Sequence, residues 1–175
     1  MRVIAGEFRS RRLKTLPGAA TRPTPDRLRE TLFDILGPRI VGATFLDAYA
    51  GTGAVGIEAL SRGAVHAWFL ERRSAALEVI RENLASLALE ARSTVVAGSV
   101  LLTIARYRAD LVFLDPPYDL EREYAAVLEA LSEADAPPPL TIVQHSVRFA
   151  LVDTWGALRR IRIVRQGDNA LSFFA

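Results

Sequence analysis

From residue 44 onward, short apolar runs alternate with stretches of helical periodicity, and this alternation constrains the fold more than any other feature. The runs lie at about 44–48, 65–71, 93–97, 110–114 and 140–145. Each is too short for a buried helix and is rich in Val, Leu, Ile and Phe, as a covered strand should be. Between them apolar residues recur every three or four positions, most clearly at Leu77, Ile80, Leu84 and Leu87, behind Ser74 as the expected helix cap. Strands separated by helices run parallel, and a parallel sheet needs helices on both faces. The expected fold is therefore α/β, a doubly wound, Rossmann-like, mostly parallel sheet. Pro137-Pro138-Pro139 reads as a stiff connector into the fifth strand, and "RRIRIVRQGDNALSFFA" predicts an antiparallel hairpin closing the C-terminal end.

Ahead of this lies a different kind of segment. Residues 2–16, "RVIAGEFRSRRLKTL", read as two short strands joined through Glu7-Phe8-Arg9-Ser10, a basic N-terminal β-hairpin over residues 1–20 appended to a main domain over 21–175. Thr24-Pro25 then has the form of a helix start. Leu28, Leu32, Ile35 and Leu36 share one face of that helix, and Gly37-Pro38 ends it. The first 30 residues carry eight basic side chains against three acids, although the whole chain is only +2. A second basic cluster recurs at Arg148, Arg159, Arg160, Arg162 and Arg165. Basic ends around an acidic middle fit a polyanionic partner, with a merely solvated basic surface as the plainer reading. The chain has no cysteine, which removes disulfides, thiolate metal sites and thiol nucleophiles. It shows no signal-peptide-like start and no apolar segment long enough to span a bilayer. A cytoplasmic protein with no membrane and no metal partner is expected.

The first strand runs into "LDAYAGTGAVGIEAL", where Gly51-x-Gly53-x-x-Gly56 stands at a strand-to-helix junction. Such glycines let the backbone turn tightly and approach a nucleoside-type ligand. Glu71, closing the second strand about 20 residues later, occupies the position that faces ribose hydroxyls in this architecture. Asp47, however, lies just before the loop, where its charge would repel the pyrophosphate of a dinucleotide. A carboxylate there suits a cationic ligand carrying an ammonium or a sulfonium. S-adenosyl-L-methionine has both, and a dehydrogenase becomes the lesser reading.

The fourth strand ends in Asp115-Pro116-Pro117-Tyr118. In a doubly wound sheet, the ends of the first and fourth strands meet at the topological switch point, so this turn faces the glycine loop. Prolines fix the backbone, making the Asp115 carboxylate and Pro116 carbonyl preorganised acceptors for both hydrogens of a planar amino group. Tyr118 offers a face for the attached base. Accepting those hydrogens localises the nitrogen lone pair and aims it at a methyl group.

The Asp-Pro-Pro-Tyr turn resembles that of amino-methyltransferases. Together with "RVIAGEFRSRRLKTL", "TRPTPDRLRETLFDIL" and "LDAYAGTGAVGIEALSRGA", in that order, it resembles the RsmD family. That resemblance implies methyl transfer to the exocyclic N2 amine of one guanine in bacterial small-subunit (16S) ribosomal RNA. Residue by residue it implies Asp47, Gly51 and Gly53 on the methionine part of S-adenosyl-L-methionine and Glu71 on its ribose, with Ser99 near the adenine. It further implies Asp115, Pro116 and Tyr118 on the guanine, Arg22 and Thr24 bordering that pocket, and Arg9, Arg11, Arg12 and Lys14 on RNA phosphates. "GSV" at 98–100 lacks the acid many methyltransferases place beside adenine, and "VQHSV" replaces a glutamate often found after the fifth strand. Gln144 and His145 read as strand-end residues. The expected substrate is small-subunit ribosomal RNA within an assembled or partly assembled particle. The alternatives are an amino-methyltransferase of DNA bases or a protein glutamine, and a non-catalytic RNA-binding assembly factor.

Overall fold

A computed structural model describes residues 1–16, 26–117 and 120–175. Arg22, Thr24 and Tyr118 lie outside the described residues, as does the expected start of the first helix. Eight strands form one sheet: β1 (Thr44–Ala48), β2 (His66–Glu71), β3 (Ser93–Ala97), β4 (Leu111–Leu114), β5 (Leu140–Ser146), β6 (Thr154–Trp155), β7 (Leu158–Gln166) and β8 (Asn169–Phe174). Their spatial order is β3-β2-β1-β4-β5-β8-β7-β6, parallel through β5 and antiparallel beyond. The doubly wound sheet and its C-terminal antiparallel hairpin are thus as expected. The chain crosses from β1 to β2 on one side and reaches β4 on the other, which makes the carboxyl ends of β1 and β4 the switch point.

Helices cover both faces. On one face α1 (Asp26–Leu36), α2 (Ala54–Ser61) and α3 (Ser74–Ser86) bury Leu32, Ile57 and Ile80 against Phe45, Phe69 and Phe113. On the other, α4 (Val100–Thr103) and α5 (Glu121–Ser132) bury Val100 and Leu128 against Leu46, Val112 and Val143. The period-2 alternation along each strand sorts these residues cleanly. Every residue of α2 is buried, so a second layer must lie over its outer side.

That layer is the N-terminal segment. Among the described residues it forms one antiparallel bridge, Arg2 to Arg12, rather than two strands. Val3 and Leu13 are buried in the α1–α3 core. Its backbone is held by buried polar side chains: the Glu58 carboxylate accepts from the N–H of Ile4 at 2.8 Å and of Ala5 at 3.0 Å. Ser61 Oγ accepts from Phe8 N–H at 3.0 Å. Gly6 adopts φ +80° and its Cα lies so near Ser61 that a Cβ would fall 1.9 Å from the Ser61 carbonyl oxygen.

Smaller differences from expectation have local causes. Asp110 is not the first residue of β4. Its carboxylate instead accepts from Thr44 N–H and Oγ1 at 2.8 and 2.6 Å, bracing the start of β1. Ser74 is the first residue of α3 and not its cap, which is Arg73.

Candidate active site

The carboxyl ends of β1, β2 and β4 carry Asp47, Glu71 and Asp115. The residues two positions earlier, Phe45, Phe69 and Phe113, all pack in the α1–α3 core. Strand alternation therefore sets the three acids on that same face. Asp115 stays in register through its N–H, which reaches the Ala48 carbonyl at 3.4 Å.

Asp47 is 2% exposed, and its Oδ2 accepts from Gly56 N–H at 2.8 Å. Burial pushes its carboxyl well above the ordinary 3.8; the Gly56 bond pulls it back, and the charges of Asp115 and Glu71 push it further up. Three acids converge here, and a cationic group placed among them would favour the ionised form of Asp47.

Between Asp47 and α2, backbone conformation is set by positive φ at Tyr49 (64°), Gly51 (57°) and Gly53 (78°). Gly53 occupies the cap position of α2. The third glycine has another role. A Cβ on Gly56 would lie 2.4 Å from Phe69 Cε1, so its absence lets α2 settle on β2. Tyr49 is half-buried beside Glu123, and burial foremost holds its phenol protonated, with its pKa pushed up.

Glu71 is more engaged than a free ribose acceptor. Its Oε2 accepts from Gly51 N–H at 3.0 Å, and its Oε1 accepts from the N–H groups of Arg72 and Arg73 at 2.9 and 3.0 Å. The half-exposed Arg73 guanidinium lies alongside at 3.3 and 3.4 Å. A carboxylate has about four acceptor positions, so three backbone donors leave one for a hydroxyl, in competition with Arg73. Ser99 is exposed at the cap of α4, beyond β3, and makes no side-chain cap bond. Ala97 pairs with Glu71, which puts Ser99 near the Glu71 end of the row.

Pro116 is buried, and its carbonyl accepts a bond from Tyr124 Oη at 3.3 Å. Tyr124, 2% exposed on α5, was not singled out by sequence; its spacing with Val127, Leu128 and Leu131 marks only a buried helix face. A carbonyl has two lone pairs, so one remains for a substrate hydrogen. His145 lies on the opposite face, between the Ser146 carbonyl and Ser172 Oγ, with burial lowering its pKa. It is part of the sheet packing.

Asn83 was also missed. It is 1% exposed on α3, accepts from Lys14 N–H at 2.7 Å, and donates to the carbonyls of Lys14 and Thr52. One amide thus ties the basic segment to the glycine loop. Arg9, Arg11, Arg12 and Lys14 are all exposed on that segment, with Lys14 paired to Glu82 at 2.9 Å. Arg29, by contrast, is fully buried and donates to the Arg2 carbonyl, so it is withdrawn from any polyanion. Among the described residues no helix is long and apolar enough to cross a membrane.

The family model described as "Conserved hypothetical protein 95" matches residues 1–175. The chain belongs to this family, the RsmD family that its motifs resemble. It is 36% identical over 181 residues to the Bacillus subtilis protein YlbH, covering 99% of this chain and 98% of that one. It is 41% identical over 120 residues to Ribosomal RNA small subunit methyltransferase D of Escherichia coli (strain K12), covering 67% of this chain and 60% of that one. Among solved structures, yhhF from Escherichia coli superposes with a TM-score of 0.83 at 32% identity, covering 99% of this chain and 96% of that one. An RNA methyltransferase from Salinibacter ruber, in complex with S-adenosyl-L-homocysteine, shares the fold with a TM-score of 0.67 at 15% identity, covering 87% and 92%.

Proposed function

We propose that this protein is an S-adenosyl-L-methionine-dependent ribosomal RNA methyltransferase that modifies the N2 amine of a guanine in the small subunit. The observation that carries the reading is the meeting of Asp47, Glu71 and Asp115 at the switch point, beside a glycine loop and a proline-fixed turn. The family and the E. coli relative's name support the ribosomal RNA substrate.

The residues fit a cationic adenosyl ligand. Asp47 and the backbone at Gly51 and Gly53 would hold its amino-acid part, Glu71 its ribose, and Ser99 its adenine side. When bound, S-adenosyl-L-methionine supplies a methyl group on a positively charged sulfur. The protein's own work is done at the 115–117 turn. The Asp115 carboxylate and Pro116 carbonyl accept the hydrogens of the target amine, localise its lone pair and orient it. Asp115 then stands ready to take the surplus proton. Tyr124 holds the Pro116 carbonyl through its hydroxyl, and Tyr118 would supply a stacking face. The segment over residues 1–20 acts as a basic arm. Its Arg9, Arg11, Arg12 and Lys14 meet RNA phosphates, which positions the substrate without reading sequence, while Arg22 borders the target pocket.

Extruding a base from structured RNA costs a few kcal/mol, and an arm this small needs help from the substrate's own shape. An assembled or partly assembled particle in the cytoplasm is therefore the preferred substrate over naked RNA; equal rates on both would refute that preference. The main test is transfer of labelled methyl from S-adenosyl-L-methionine to unmethylated small subunits, followed by nucleoside analysis. Labelled N2-methylguanosine, lost in Asp115→Ala with RNA affinity retained, is expected. Label in another nucleoside, or in protein, would overturn the guanine assignment.

A further inference from the structure

Gln144, the fifth residue of β5, is 4% exposed, and among the described residues its side-chain Oε1 has no hydrogen-bond partner. Burying a carbonyl oxygen without a donor is costly, and such a group calls for an explanation. Its position supplies one. Leu114 of β4 pairs with Val143 of β5, so Asp115 and Gln144 follow one another on neighbouring parallel strands. Ile142 lies in the α1–α3 core with Phe113, and alternation puts Gln144 on the same face as Asp115. Reading across the sheet in the order β2-β1-β4-β5, the polar side chains on this face toward the carboxyl ends are Glu71, Asp47, Asp115 and Gln144, with Gln144 level with Asp115 although β5 runs on to Ser146. Thr141 Oγ1 of β5 is also without a partner among the described residues, but Thr141 pairs with Phe174 of the opposite layer, away from this row.

We propose that Gln144 is a base-reading residue, whose Oε1 accepts the N1–H of the target guanine beside the amine held at the 115–117 turn. The inference rests on the guanine-N2 reading above. In guanine the atom next to the C2 amine is N1, which carries a hydrogen, and the next substituent is O6, an acceptor. A primary amide one strand beyond Asp115 matches that edge, Oε1 toward N1–H and the amide N–H toward O6. Adenine presents a bare N1 lone pair there, which an amide oxygen repels. A site built to bond a donor rejects analogues lacking it far better than an apolar site can.

The test compares guanine with 2-aminopurine, which keeps the C2 amine and lacks both N1–H and O6. The methylated position is first mapped in wild-type reactions on unmethylated small subunits. Particles are then reconstituted on RNA carrying either base at that position. Wild type should favour guanine by at least about tenfold in kcat/KM. Gln144→Leu should lose most transfer to guanine and bring the ratio of the two substrates close to one. Gln144→Glu, which keeps an acceptor oxygen, should retain the preference. Because the ratio is taken within each variant, it is independent of the fraction folded. A Gln144→Leu protein that discriminates like wild type overturns the proposal while leaving the guanine reading intact. A wild type that makes no N2-methylguanosine overturns both.

Discussion

Replacing Gly56 with alanine tests the packing at the heart of the site without any ligand. The added Cβ would lie 2.4 Å from Phe69 Cε1, 2.8 Å from Cζ and 3.1 Å from Cδ1, where carbon atoms normally sit about 3.5–4.0 Å apart. Relief requires a shift of more than about 1 Å by the ring or the helix. Phe69 is fully buried on β2, which is paired on both edges, so the ring has nowhere to go. Overpacking of this kind costs about 1–3 kcal/mol, and the severity of the overlap argues for the upper end. Alanine's better helix propensity returns up to about 1 kcal/mol. The net loss should be about 2 kcal/mol, which lowers Tm by about 4–8 °C in a domain of this size. Thermal and urea unfolding of wild type, Gly56→Ala, Phe69→Leu and the double variant form a cycle. The smaller side chain should recover at least about 1 kcal/mol of the alanine penalty. A Gly56→Ala protein melting at or above wild type, or a cycle additive within about 0.5 kcal/mol, would refute the packing role.

Two other perturbations follow from buried carboxylates. Because the folded-state pKa of Asp47 is raised, the ligand-free protein retains a proton that the unfolded chain loses above the ordinary 3.8, so Asp47 contributes a loss of stability as pH rises through that window. A cationic ligand needs the ionised form, so the Tm increase caused by S-adenosyl-L-methionine should grow with pH from about 4 to 8 in wild type and flatten in Asp47→Asn; a pH-independent increase in wild type contradicts this. Glu58→Gln leaves one acceptor oxygen for donors from Ile4, Ala5 and Arg62 and turns an amide N–H toward them, at a cost of about 3 kcal/mol. Trypsin should then cut the segment after Arg9, Arg11, Arg12 or Lys14 faster than in wild type, and unchanged digestion would show that Glu58 does not hold it.

The sheet was legible because its strands are apolar runs and its helices carry a different period; those two signals need no tertiary information. The Asp115 and Glu71 positions were readable for a related reason, since a strand end is also a place in the sheet. What stayed hidden depends on neighbours distant in sequence. Glu58 reads only as a charge inside a largely apolar helix with Arg62 one turn on, yet the two backbone donors that it also holds, Ile4 and Ala5, lie more than fifty residues earlier. Arg29 sits in a basic stretch like its neighbours and is distinguished only by the Arg2 carbonyl and the Glu58 carboxylate near it. The third glycine fits a ligand-binding pattern, and only the Phe69 ring shows that it serves packing. Gln144 looks like any polar residue at a strand end until its oxygen is found without a donor.

The antiparallel strand β8 bears on synthesis. All six of its residues are buried, and it pairs with β5 on one edge and β7 on the other, although it follows both in the chain. While the chain emerges, the parallel half from β1 to β5 can assemble only with β5 as an open edge, since the strand that seals it is made after both of its neighbours. An exposed edge of this kind invites pairing with other chains. The growing chain therefore passes through an intermediate whose β5 edge stays open to foreign strands until β8 takes its place between β5 and β7.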